Sequence, residues 1–484
     1  MRDRFFFYLF NCCLLLLAAA CSIVPGLPAG KLEARLFPSM LLLVDSGEAG
    51  LCLRPVDPAS LEDLPGYTPL ELGHHYDDAF SPDGRTLAAI VWPTGWSSAG
   101  ELHLIDLSTW EAHPAGLRFD NYISLLAFSP DGESLYWSVA TNRSSAHGLP
   151  GGFELRRYDI AAQEEHTVAS LPFGPTDARL FSAGSRMALY GVPIDDGNLA
   201  ADWPHLLIVD LVAQASPDAL IRADIRLDGL IDGQRQVSVS GGQPAYQYDR
   251  AGLGWDLARQ RLYIVHPTQD KVTVVDLARE QVVREARIQP SQSLIERVLA
   301  WFASPALAKA VPGTEHSVVL SPDGAYLHIV SLRRELEEGA WGSMIWRQVP
   351  LGLQIVDTRR FHSVHRVDLP LNTLALSPDG ERLLLTGFHD ETTFNESHRN
   401  EAGGLYLLDT QNKTPILLMH PPGQNFLLHG FSPDSRYAYF SAYNSDTGGD
   451  LLLQVLDLES LEITGERHLP SGFADLLGAI WSGK

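Results

Sequence analysis

The chain has 484 residues and a formal net charge of −23, with 59 Asp and Glu against 36 Lys and Arg. So acidic a surface repels phosphate backbones and anionic headgroups, which excludes nucleic acid as a partner and membrane attachment through a basic patch. Apolar residues make up 45% and charged ones only 20%, a balance that suits stacked sheets buried on both faces rather than disorder.

At the N-terminus, Arg2 and Arg4 precede the apolar stretch Phe5–Ala20, which ends in Ala18-Ala19-Ala20-Cys21. The order of charge, apolar core, small residues and Cys resembles the bacterial lipoprotein signal, whose Cys is lipidated after cleavage. Leu usually stands three residues before that Cys; here Ala18 does, and Leu17 is displaced by one. The resemblance implies a signal peptide at 1–20, lipid attachment at Cys21, a linker at 21–37 and an extracytoplasmic place in the cell envelope. An uncleaved anchor and ordinary secretion are the alternatives, since Phe5–Val24 just reaches the roughly 20 apolar residues of a spanning helix. Cys12 and Cys13 leave with the signal, so Cys52 is the one thiol of the domain and reads as a buried strand residue.

From residue 38 the chain reads as strands. Met40–Val44, Leu51–Asp57 and Tyr67–Leu72 are second, third and fourth strands with no first strand before them. Ser-Pro-Asp-Gly then recurs at Ser81–Gly84, Ser129–Gly132, Ser321–Gly324 and Ser377–Gly380, with a degenerate copy at Ser432–Ser435. Pro presets the second turn position, Asp accepts local backbone N–H bonds and Gly tolerates positive φ, so each copy joins two antiparallel strands. Ser435 stands where the others have Gly, so Ser435→Gly is expected to stabilise slightly. An Asp closes each third strand, at Asp57, Asp106, Asp159, Asp210, Asp276, Asp357, Asp409 and Asp457. Two units keep this frame without the tetrapeptide, at Phe181–Ser185 and Trp255–Arg259.

Seven units thus begin near residues 76, 124, 177, 252, 316, 373 and 428, and Leu477–Trp481 is a lone first strand. Such a period defines an all-β fold, a single β-propeller of four-stranded antiparallel blades. Eight blades are favoured over seven, with the N-terminal strands pairing with the C-terminal strand to close the ring and remove its free edges. The domain spans 38–484. The Phe-Ser-Pro-Asp-Gly units resemble the WD-repeat-like blades of TolB-type propellers. Leu262–Val265 with Val272–Leu277 resembles the YVTN repeat of lactonase-like propellers. Those families include scaffolds, binding modules and a few enzymes, so the resemblance implies a fold and leaves activity open.

Second-to-third-strand loops and connections between blades share one face, and nearly every long insertion falls there, so any site belongs on it. His74, His266, His389, Asp390, Glu391 and His398 collect on that face as candidates for a divalent-metal site, without a specific spacing. Polar, solvated loops explain the same residues. Leu294, Ile295, Val298, Leu299 and Phe302 recur at helical spacing, and Ser304-Pro305 starts a second short helix, giving a helical insertion at about 289–315. It is either a cover for the rim or a docking element. Ser331–Gly352 carries Arg333, Arg334, Trp341 and Trp346 and reads equally as a binding hot spot or a long hairpin; with Trp301 and Phe302 these are the candidate partner-binding residues.

No Cys-x-x-Cys-His, Walker loop, dinucleotide fingerprint or Gly-x-Ser-x-Gly elbow occurs, and no nucleophile or cofactor is identifiable. The expected function is therefore a non-catalytic, lipid-anchored propeller that binds a protein or small ligand on its loop-rich face. The alternatives are a metal-dependent lactonase-like hydrolase at the channel mouth, or a scaffold subunit of an envelope complex.

Overall fold

The computed structural model describes residues 40–47, 50–92, 99–119, 123–141, 152–193, 203–211, 220–238, 244–267, 269–289, 313–338, 344–387, 404–419, 424–444, 451–469 and 475–480. It is all-β, with eight four-stranded antiparallel blades of a propeller ring. Blades 1 to 7 start from the inner strands Leu70–Phe80, Ile123–Phe128, Pro175–Phe181, Gly252–Asp256, Gly313–Leu320, Leu371–Leu376 and Gln424–Phe431. Blade 8 is built from both ends of the chain: Asp475–Ile480 inside, then Met40–Gly47, Gly50–Val56 and the first residues of Leu70–Phe80. Met40 pairs with Ile480 and Val44 with Asp475, as expected of the ring closure. The fourth strand of blade 8 begins at Leu70, three residues later than its sequence suggests, and runs on without a break into blade 1. Contacts group the residues into two compact units, one of Met1–Asp120, Ala375–Thr386 and Gly403–Lys484, the other of Asn121–Leu374 and Gly387–Ala402.

The tetrapeptide turns show why those residue types are needed. In all five copies the Ser hydroxyl donates to the Asp carboxylate two residues on, at 2.5–2.7 Å. The same oxygen accepts the N–H of the residue opening the next strand, Thr86, Ser134, Tyr326, Arg382 or Tyr437, at 2.8–2.9 Å. The fourth turn residue has positive φ in every copy: 67° at Gly84, 76° at Gly132, 66° at Gly324, 76° at Gly380 and 59° at Ser435. At the opposite turn of the same end, Asp106 accepts the N–H groups of Ser108 and Thr109, and Asp57, Asp357, Asp409 and Asp457 act alike.

Packing follows from strands buried on both faces. Along Met40–Val44, alternate residues serve different neighbours. Met40, Leu42 and Val44 pack with Leu87, Ala89 and Val91 of blade 1. Leu41 and Leu43 pack with Tyr437, Tyr439 and Leu453 of blade 7. The same double burial joins blades 2, 3, 4 and 5 through Met187, Leu262 and Leu327. All eight outer strands carry a register shift against the third strand, for example between Glu101 and His103 and between Leu405 and Tyr406. Such bulges twist an outer edge, and together with charged side chains they guard it against strand addition. Cys52 is buried, as its strand position implies.

Candidate binding face

Two ribbons extend beyond the blades. The second and third strands of blade 5, Tyr326–Glu338 and Met344–Asp357, run for 13 and 14 residues. Their inner neighbour begins at Gly313, opposite Arg334, so the pairs Glu335↔Arg347 through Glu338↔Met344 stand clear of it. The second ribbon pairs Gly233–Ser238 with Pro244–Asp249 and lies in the connection between blades 3 and 4. Both lie at the loop-rich end of their blades. The insertion at Ser331–Gly352 is thus a blade-extending hairpin.

The bases of the ribbons are pinned by buried polar groups. Asp232 receives the Tyr190 hydroxyl at 2.5 Å and the N–H groups of Gly233 and Ala251 at 3.0 and 3.1 Å, so one carboxylate ties both ends of the second ribbon to blade 3. Burial raises its carboxyl to about 6, against the pull of these donors and of Arg250. Asp249, fully buried, accepts the Thr314 N–H at 2.9 Å, and the Arg250 backbone exchanges bonds with Thr314 and His316. The Arg334 guanidinium lies 2.5 Å from Glu315 and 5.5 Å from the Tyr248 ring centroid. Burial also raises the Glu315 carboxyl, while Arg334 and Arg250 act to lower it. One cation therefore links the two ribbons, since Tyr248 belongs to one and Arg334 to the other.

Of the metal candidates, His266 is a packed residue of blade 4. Its Nε2 lies 2.8 Å from Thr273 Oγ1, and its carbonyl is 3.1 Å from Nε2 of His316, whose Nδ1 lies 2.7 Å from Ser331 Oγ. Burial lowers both rings to about 4, keeping them neutral. His74 is placed by its backbone alone, opposite Trp92. His389, Asp390, Glu391, His398, Trp301, Phe302, Trp341 and Cys21 lie outside the described residues, as do the helices expected within 289–315. Among the described residues no three His, Cys, Asp or Glu side chains form a group able to hold a metal. Arg333 and Arg334 share the base of the blade 5 ribbon, and Trp346 pairs with Leu336 farther out. Asp232, Tyr190, Asp249, Arg250 and Glu315 are not legible in the sequence because, apart from Gly233 beside Asp232, their partners lie 19 or more residues away and none belongs to a motif.

No protein-family model matches the chain, and no curated protein matches it. Among solved structures it is similar to a eukaryotic initiation factor, at 14% identity and a TM-score of 0.51, over 92% of this chain and 99% of that one. The β-propeller domain of Cps50 (Swd1) from Myceliophteria thermophila aligns at 14% identity and a TM-score of 0.36, over 81% and 96% of the two chains. TolB from Acinetobacter baumannii aligns at 13% and 0.29, over 78% and 62%. At such identities the likeness to the first speaks for the propeller fold alone.

Proposed function

We propose that this chain is a non-catalytic binding propeller, held by lipid on Cys21 at the extracytoplasmic side of a bacterial envelope, which takes a protein partner on its ribbon-bearing face. The observation behind this reading is the blade 5 ribbon, whose paired strands continue past the blade and are braced at the base by Arg334, Glu315 and Tyr248. A paired, twisted ribbon offers a partner backbone and side chains with little ordering cost. Aromatic and Arg residues, the types enriched at interface hot spots, lie along it at Arg333, Arg334 and Trp346. The charged N-terminal start and Cys21 supply the tether.

The test replaces 335–347 by an Asn-Gly turn in the full-length chain and compares photo-cross-linking from position 348 in cells. The shortened chain is expected to melt like the parent and to lose the cross-linked protein. Retention of the same cross-link overturns the reading. Separately, Cys21→Ser is expected to abolish labelling by a fatty-acid analogue, and unchanged labelling overturns the tether.

A further inference from the structure

The eight outer strands differ in one respect that their shared bulges do not explain. Seven carry charged residues, the usual guard of an exposed strand edge. These are Glu71 in blade 8, Glu111 and Arg118 in blade 1, Glu164 and Glu165 in blade 2, and Arg222, Asp224 and Arg226 in blade 3. Blade 4 has Arg284, Glu285 and Arg287, blade 5 has Arg366, and blade 7 has Glu462, Glu466 and Arg467. The outer strand of blade 6, Pro415–Met419, reads Pro-Ile-Leu-Leu-Met and has none. Its Ile416 and Leu417 are each 51% exposed, more than any other large apolar side chain among the described residues.

The strand that carries these two side chains is held rather than loose. Leu418 and Met419 pack into the core shared by blades 6 and 7, which fixes the strand behind them. A Cβ on Gly404 would lie 3.1 Å from Leu417 Cδ1 and 3.0 Å from the Tyr406 ring, so the bare glycine leaves the space in which Leu417 sits.

We propose that the outer edge of blade 6 is a self-association surface, on which Pro415–Met419 of one copy meets the same strand of a second copy antiparallel across a twofold axis. Three features select a second copy as the occupant. The strand is short, neutral and apolar, so it is self-complementary under a twofold, the requirement for an isologous contact. A chain of net charge −23 repels its own copies across most of its surface, and this is the outer strand where no like charges meet. An extended segment of the chain itself is a poor occupant: 388–403 and 445–450 are polar, and 22–39 is broken by three prolines. Two five-residue strands bury far less than the roughly 800 Å² per partner of a stable interface, so the dimer is weak and concentration-dependent.

The full chain, purified in detergent, is tested by sedimentation velocity from about 1 to about 100 μM, the range in which so small an interface titrates. A reversible monomer–dimer equilibrium is expected. Leu417→Lys, which sets like charges across the axis, is expected to weaken it at least about tenfold, with the melting curve unchanged because the side chain is half exposed. Val283→Lys, on the charged outer strand of blade 4, is expected to leave it alone. A photo-cross-linking residue at 417 is expected to give a covalent homodimer, and one at 283 none. A monomer at every concentration, a dimer indifferent to Leu417→Lys, equal cross-linking from 417 and 283, or a cross-link from 417 to a different protein each overturns the proposal.

Discussion

A left-handed residue that is not glycine closes the turn between third and outer strands in seven blades: Leu61, Trp110, Gln163, Glu280, Phe361, Lys413 and Leu461, with φ between 55° and 60°. Each stands four places after the Asp that ends the third strand, and Leu61, Trp110, Phe361, Lys413 and Leu461 donate their N–H to that Asp's carbonyl at 2.7–2.9 Å. Positive φ costs a non-glycine residue about 1–2 kcal/mol, while glycine loses about 0.5–1 kcal/mol more backbone entropy on folding, so the side chain decides the sign. Gln163 is exposed, and Gln163→Gly is expected to stabilise by about 0.5–1 kcal/mol in a urea titration. Phe361 is 1% exposed and lies under the Arg284 guanidinium at 4.6 Å, so Phe361→Gly is expected to cost about 3–5 kcal/mol. Ser435 combines both effects: its hydroxyl accepts the Asp379 N–H of blade 6 at 3.1 Å. The strain relieved by Ser435→Gly is then offset by the lost bond, and a net change within about 0.5 kcal/mol replaces the gain expected from the turn alone. Acid acts through other residues. The His266 and His316 rings stay neutral down to about 4 in the fold against 6.5 in the open chain, and burial lowers His103 as well. The unfolded chain therefore binds the extra protons, and stability falls as pH drops from 6.5 towards 4. Asp232 works in the opposite sense, because between about 6 and 3.8 the folded chain holds its proton. Urea midpoints are expected to drop from pH 7 to pH 4.5, less in His316→Gln and more in Asp232→Asn.

At the scale of strands, the closing pair is the most consequential. Among the described residues Asp475–Ile480 is the sole partner of one edge of Met40–Gly47, so its removal opens that edge to water and to other chains. Ending the chain at 470 is expected to lower the melting temperature by more than 5 °C and to promote aggregation, measured by light scattering on heating. Blade starts are readable in the chain because turn chemistry and alternation act within about ten residues of one another, and the closure and eighth blade because three strands without a first strand match the lone strand Leu477–Trp481. Glu315–Arg334 and Asp232–Tyr190 were not, since register between distant strands brings them together. The residue type of Arg334 marks it as a hot-spot candidate, yet its work of joining two ribbons depends on Tyr248, which no local pattern connects to it. His266 follows the second strand of blade 4 and reads in the sequence as a loop histidine, but that strand carries it inward, where it is buried and bonded to Thr273.

For the whole molecule, charge and apolar patches divide the surface into regions with different uses. The acidic excess disfavours indiscriminate association, the ribbons give one face relief, and blade 6 leaves one neutral edge. Raising salt screens the repulsion between copies, so the blade 6 dimer is expected to tighten between 50 mM and 500 mM salt, roughly several-fold by sedimentation. The pairing of Met40 with Ile480 also has a bearing on biosynthesis. The ribosome releases Met40–Gly47 well before Asp475–Ile480, so the seam stays unsewn until the later of its two strands has been made. A product cut short before Asp475 keeps every other repeat yet offers a raw, sticky flank that chaperones and proteases can recognise, which makes that late strand a condition of surviving in the cell.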